Sequence, residues 1–186
     1  MGDLLFVTGG ARSGKSRFAE HLAGRSGRPV VYIATLEALD EEMRHRIGLH
    51  RARRPAGWST VEAPRDLLGA VRGAPAVACV LIDCVSVWLS NRLLALGDEP
   101  ASDDLEAFEQ EVLAELDRLT EHQREHENTL ITVSNEVGSG VVPPYPLGRA
   151  YRDALGRVNQ RLSTAADRAW LVVAGRALEL PEPFEA

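Results

Sequence analysis

Leu4-Leu5-Phe6-Val7-Thr8-Gly9-Gly10-Ala11-Arg12-Ser13-Gly14-Lys15-Ser16 decides how the rest of the chain is read. An apolar run stops at a glycine-rich loop, and the loop ends in Gly-Lys-Ser where a helical pattern begins. Gly9 with Gly14-Lys15-Ser16 satisfies G-x-x-x-x-G-K-[ST], the phosphate-binding P-loop. The chemistry needs those residue types. Glycines let the backbone turn so that successive N–H groups point inward as an anion-binding nest. The helix that follows adds its unpaired donors and the positive end of its dipole. Lys15 would reach the β- and γ-phosphates, and the Ser16 hydroxyl would ligate Mg²⁺. A structural turn with an incidental lysine is the competing reading. The position of the loop between a strand pattern and a helix pattern favours a nucleotide site.

Working outward, apolar runs rich in β-branched residues recur with helical patterns between them. Strands are expected at Leu4–Thr8, Val30–Ala34, Ser59–Glu62, Val77–Asp83, Thr129–Ser134 and Ala169–Ala174, with a short last one at Ala177–Leu180. Helices are expected at Lys15–Gly24, Asp40–Arg51, Val85–Leu96, Asp103–Glu127 and Gly148–Ala166, with Ser102 as a good N-cap for the longest. Continuous apolarity in the second strand suits a strand covered on both faces. The alternation implies an α/β protein with a mostly parallel sheet flanked by helices, and a single domain over residues 1–186.

Composition narrows the function classes. Hydrophobic residues make up 45% and charged residues 26% of the 186, as in ordinary globular proteins. A net charge of −6 argues against general nucleic-acid binding. Cys79 and Cys84 form no C-x-x-C pair, which suits buried thiols in a reducing compartment. No apolar run approaches the roughly 18 residues of a membrane span, and no signal core opens the chain, so a cytoplasmic location is expected.

A P-loop protein needs a second acid near Mg²⁺, usually at the end of a neighbouring apolar strand. Asp83 ends such a run; a helix cap is its alternative role, and the P-loop tips the balance to the metal side. Open α/β sheets bind ligands at the carboxyl ends of their strands, so Ala34-Thr35-Leu36, Glu62, Asp83 and Ser134-Asn135-Glu136 should converge on one crevice. The stretch Arg44–Arg54 gathers Arg44, Arg46, Arg51, Arg53 and Arg54 with His45 and His50. Guanidinium groups suit phosphate, although an isolated basic run is more simply a solvated face. His50 follows Ile47 by three positions and Met43 by seven, which by spacing favours a partly buried structural histidine. A neutral imidazole beside arginines is also a competent nucleophile toward phosphorus, and spacing leaves both open. The late loop from Asn135 to Pro143 carries Gly138 and Gly140, which permit close backbone approach to a ligand. Arg149, Arg152, Arg157 and Arg161 line the same crevice or the surface.

Taken together, several pieces resemble one family. They are the P-loop stretch, Tyr32-Ile33-Ala34-Thr35, Asp40-Glu41-Glu42-Met43, Arg46-Ile47, His50-Arg51, Arg54-Pro55, Trp58 with Thr60 and Glu62, Asn135–Pro143 and Gly156–Leu162. The chain is similar over nearly its whole length to the bifunctional adenosylcobinamide kinases / adenosylcobinamide-phosphate guanylyltransferases of cobalamin (vitamin B12) biosynthesis. The resemblance implies a RecA-like P-loop NTPase fold and a homotrimer, in which part of the site comes from a neighbouring subunit. It implies phosphorylation of adenosylcobinamide by ATP or GTP. Transfer of GMP from GTP to that phosphate would follow, through a guanylyl-histidine. His50 matches the guanylylated histidine, which reverses the preference from spacing. The preceding position, often a second histidine in relatives, is Leu49. Nucleotide contacts map onto Gly9, Gly10, Ala11, Arg12, Ser13, Gly14, Lys15, Ser16, Ala34, Thr35, Leu36, Arg51, Ala52, Arg53, Arg54, Glu62 and Asp83, with Ser16 and Asp83 on Mg²⁺. Some relatives carry Glu in place of Asp83. Lys15 joins His50 as a catalytic residue, and Asp83 and Glu136 compete as the base of the kinase step. A small-metabolite kinase without guanylyl transfer, or a regulatory nucleotide switch, are the rival readings; no N-K-x-D guanine-reading motif is present to support a switch.

Overall fold

The computed structural model describes residues 2–37, 41, 48 and 54–184. Seven strands form one sheet: β1 (Leu4–Gly9), β2 (Val30–Ala34), β3 (Ser59–Glu62), β4 (Cys79–Asp83), β5 (Thr129–Asn135), β6 (Arg168–Val173) and β7 (Arg176–Glu179). Their order is β3-β2-β4-β5-β1-β6-β7. Every pairing is parallel except β6 with β7, a hairpin at the sheet edge. Among the described residues five helices with given bounds accompany them: α1 (Lys15–Arg25), α2 (Leu67–Arg72), α3 (Val85–Leu94), α4 (Ser102–Glu125) and α5 (Pro146–Ala165). Most of the helix expected over Asp40–Arg51 lies outside the described residues.

The period-two alternation of the strands divides the core into two layers. Leu4, Phe6, Val31, Ile33, Val80, Ile82 and Leu130 point to one side, where Leu67, Trp88, Leu116, Leu155 and Leu162 of α2–α5 cover them. Val7, Tyr32, Leu81, Ile131, Val133, Trp170 and Val172 point to the other, against Ala19, Ala23 and Phe18 of α1. Burial on both faces explains why β4 and β5 read as unbroken apolar runs. Trp88 is the largest fully buried side chain, and its indole Nε1 donates to Arg65 O at 2.9 Å. Trp88→Ala is expected to lower the unfolding free energy by about 3–5 kcal/mol through the cavity left behind. Urea unfolding with an unchanged denaturant slope checks this.

Several boundaries differ from expectation for local reasons. Helix α2 was not anticipated; Asp66 caps it by accepting from Gly69 N at 2.8 Å, ahead of the buried Leu67 and Val71. Strand β4 starts at Cys79 because Val77 lies outside the sheet and is half exposed. Ser102 is the first residue of α4 and not its cap: Ala101 takes that position, its N–H donating to Asp104 Oδ2 at 3.2 Å.

Candidate active site

The carboxyl ends of β1 to β6 lie along one edge of the sheet, since all six strands run the same way. The loop from Gly9 to Gly14 crosses the end of β1 and delivers the chain into α1. Two backbone positions there demand glycine. A Cβ on Gly9 would sit 2.4 Å from Val172 O, and one on Gly14 would meet Gly175 Cα at 3.3 Å with φ already at +100°. Arg12 also takes a left-handed conformation, φ 57°. The loop is braced by Ser13 N donating to Gly10 O at 3.3 Å and by Gly175 N donating to Ser13 O at 2.8 Å. Helix α1 has no side-chain cap and no acid in its first turn, so its leading N–H groups and dipole face the loop uncompensated.

Lys15 opens α1, and its ammonium folds back to Gly10 O at 3.1 Å. It is the only lysine in the sequence. One position on, Ser16 Oγ donates to Asp83 Oδ1 at 3.2 Å although β5 separates β4 from β1 in the sheet. The other carboxylate oxygen accepts from Tyr32 OH at 2.7 Å. Burial, then the adjacent Asp83 carboxylate, push the Tyr32 phenol far above its usual range, so it remains a donor at any physiological pH. Arg54 lies with Cζ 3.4 Å above the Tyr32 ring and donates to Thr60 Oγ1 at 3.2 Å. Tyr32 thus joins the acid at the end of β4 to the end of the arginine-rich stretch.

The other expected residues separate by their contacts. Ala34 stands in register between Asp83 and Glu62, so Glu62 lies two strands, about 10 Å, from Asp83 along the same edge. Thr35 is fully buried; its hydroxyl accepts from Cys84 N and donates to Cys84 O, both at 2.8 Å. Its role in these contacts is to brace the end of β4. Leu36 is half buried beside it. Gly10, Ala11 and Arg12 form the open side of the loop, and Ser13 is buried within it. His50, Arg51, Ala52 and Arg53 lie outside the described residues. Glu136 Oε1 accepts from Gly138 N at 2.5 Å and Ser139 N at 3.1 Å, an engagement with its own loop that Asp83 does not share. The base of that loop is fastened to the P-loop by Glu136 N donating to Gly9 O at 3.0 Å.

A polar web behind Asp83 was not foreseen. Cys84 Sγ lies 3.1 Å from Ser86 Oγ, which accepts from Asn135 Nδ2 at 3.0 Å, and Tyr151 OH donates to Ser86 O at 3.1 Å. Burial, then Asp83, hold the Cys84 thiol at about 11, so it is protonated and unreactive near neutrality. Thr8 Oγ1, Ser13 Oγ and Ser134 Oγ are buried hydroxyls with no hydrogen-bond partner among the described residues. As a set the site offers backbone N–H groups and Lys15 for phosphate, and the Ser16 and Asp83 oxygens for a hard cation. Tyr32 could have been singled out as the one polar tip in an otherwise apolar strand.

Comparison with known proteins follows the same lines. Residues 5–180 match the family described as cobinamide kinase / cobinamide phosphate guanyltransferase. A protein from Salmonella typhimurium named bifunctional adenosylcobalamin biosynthesis protein CobU is 44% identical over 181 residues, covering 95% of this chain and 99% of its own. The Pseudomonas aeruginosa protein of that description, CobP, is 45% identical over 96% of this chain and 95% of its own length. Among solved structures, an ATPase of a bacterial type III secretion system superposes with a TM-score of 0.57 at 15% identity, over 92% of this chain and 52% of that one. A Pyrococcus horikoshii protein, PH0250, superposes with a TM-score of 0.53 at 8% identity, over 95% of this chain and 85% of that one. At these identities the structural likeness speaks to the fold, a P-loop NTPase α/β sheet.

Proposed function

The chain belongs to the cobinamide kinase / cobinamide phosphate guanyltransferase family, transferases of cobalamin biosynthesis, and from that premise we propose how its residues divide two reactions. In the first, the nest from Gly9 to Gly14 and the N-terminus of α1 hold a nucleoside triphosphate. Lys15 turns from Gly10 O to the β- and γ-phosphates as charge builds on the transferring group. The hydroxyl of adenosylcobinamide attacks the γ-phosphorus, the bond from that phosphorus to the β,γ-bridging oxygen breaks to release the nucleoside diphosphate, and the hydroxyl proton passes to a carboxylate. The two candidates are Asp83, which holds Ser16 and Tyr32, and Glu136, whose Oε1 holds Gly138 N and Ser139 N.

In the second reaction, the His50 imidazole attacks the α-phosphorus of GTP and pyrophosphate leaves. The phosphate of adenosylcobinamide phosphate then displaces the histidine, giving adenosyl-GDP-cobinamide. Arg51, Arg53 and Arg54 supply positive charge to the phosphates, with Ala52, Ala34, Leu36 and Glu62 forming the nucleotide's surroundings and Thr35 bracing them from beneath through Cys84. The Ser16 and Asp83 oxygens suit Mg²⁺, which when bound supplies charge neutralisation between phosphate oxygens. The residues 1–186 act as one domain. We further assign a homotrimer, on the family resemblance, and a cytoplasmic location, which the unpaired Cys79 and Cys84 suit.

The observation that supports this reading is the Ser16–Asp83–Tyr32–Arg54 chain of contacts, which links the P-loop helix to Arg54, the last residue of the arginine-rich stretch. Incubation of the protein with GTP and adenosylcobinamide, with product separated by chromatography, tests it. Formation of adenosyl-GDP-cobinamide supports the assignment; nucleotide hydrolysis with no corrinoid product overturns it. Tyr32→Phe keeps the ring under Arg54 but removes the donor to Asp83. Its expected consequence is an approximately 10-fold weaker apparent Mg²⁺ affinity, read from initial rates against Mg²⁺ at saturating GTP.

A further inference from the structure

Beyond the nucleotide, the protein exposes an apolar wall that its fold does not need. Val141 is 95% exposed, Val142 56% and Tyr145 59%, and they follow one another in the loop between β5 and α5. Val137, four residues earlier, packs on the core, so the loop is anchored at its base and bare at its tip. It is also preformed. Arg149 Nη1 donates to Pro143 O at 3.1 Å and to Pro144 O at 2.9 Å. The Tyr145 ring lies so close over Gly148 that a Cβ there would be 2.5 Å from it. Beneath this loop a cavity of about 430 Å³ opens between the starts of α4 and α5, lined by Pro100, Leu105, Tyr145 and Leu147 with Asp98 and Glu99 at its rim. A rigid, exposed apolar surface beside a cavity marks a binding site.

We propose that this wall and cavity seat the corrin macrocycle of the substrate, an inference that rests on the corrinoid reading above. Both ends of the wall are tied to the phosphate site. Glu136 N donates to Gly9 O at one end, and Tyr151 OH donates to Ser86 O, three residues past Asp83, at the other. A substrate whose hydroxyl must reach a nucleotide phosphate has to lay its body on a surface that starts there. The occupant's chemistry fits: the apolar ring meets Val141, Val142 and Tyr145, while peripheral carboxamide N–H groups donate to Asp98 and Glu99. The cavity is too small for a whole macrocycle and takes an edge of it, the remainder lying on the loop. A second groove, of about 450 Å³, sets Glu106, Glu109 and Asp153 among Leu93, Phe108 and Ala154 and is crossed by the Arg157–Glu109 ion pair, so its mixed walls suit an apolar ring less.

Val142→Asp and Tyr145→Ala test the proposal in the full chain. Each is expected to raise the KM for adenosylcobinamide at least 10-fold. Labelling of the protein by GTP labelled at the α-phosphate, which needs no corrinoid, should stay at the wild-type level. Wild-type KM for the corrinoid in both variants overturns the proposal. So does an altered oligomeric mass of Val142→Asp on sedimentation, which would make the loop a contact between copies. Absence of any corrinoid turnover by the wild type sinks the underlying reading as well, and the wild-type control separates the two failures.

Discussion

Lys15→Ala is expected to lower both transfers by about 1,000-fold at saturating nucleotide. The magnitude follows from what remains when the ammonium is gone. Helix α1 and the loop still present N–H groups, so the triphosphate still binds, but no mobile cation is left to follow charge onto the leaving oxygen. The ammonium's resting contact with Gly10 O is a hydrogen bond from a charged donor, of the kind worth about 1.5–3 kcal/mol to a fold. A variant that stays folded, binds GTP and fails to turn over is the expected pattern. Retention of more than about a tenth of the wild-type kcat would mean that arginines carry the charge stabilisation instead.

His50→Ala is expected to separate the two reactions. Guanylyl transfer should fall below detection, since the imidazole proposed to accept the guanylyl group is gone, while phosphorylation of adenosylcobinamide continues within a few-fold of wild type. The measurement is the acid-labile label that GTP marked at the α-phosphate leaves on the protein, alongside adenosylcobinamide phosphate accumulation. Equal labelling of variant and wild type would remove His50 from the mechanism. Arg54 gives the prediction its geometric footing. It stacks on Tyr32, whose hydroxyl holds Asp83, and His50 precedes it by four positions in the sequence.

The sheet was legible because its central strands are buried on both faces and therefore appear as apolar runs in the sequence, as Val30–Ala34 and Cys79–Asp83 do. The P-loop was legible because the phosphate nest constrains residue type at fixed spacing. Thr35 and Tyr32 show where that stops. Tyr32 sits mid-strand and Thr35 just past the strand end, and nothing in their spacing tells that Thr35 turns inward to Cys84 while Tyr32 turns to Asp83. Periodicity reports which face a residue occupies; strand order decides whom it meets. The web joining Cys84, Ser86, Asn135 and Tyr151 spans more than sixty residues of chain and exists only because β4 and β5 are neighbours. Helix α2 is too short for its six residues to show a period.

The placement of β1 between β5 and β6 also sets an order of events during synthesis. The P-loop is made first, yet its strand pairs with residues 129–135 and 168–173, and its backbone is buttressed by Gly175. At about 5–20 residues per second, the finished motif waits many seconds as an unsupported glycine-rich segment. Competence to grip phosphate therefore arises only after residues 168–175 have left the ribosome. A chain cut short before the β6–β7 turn would carry the whole motif and lack the neighbours that give it shape, so nucleotide retention reports that synthesis has passed Gly175.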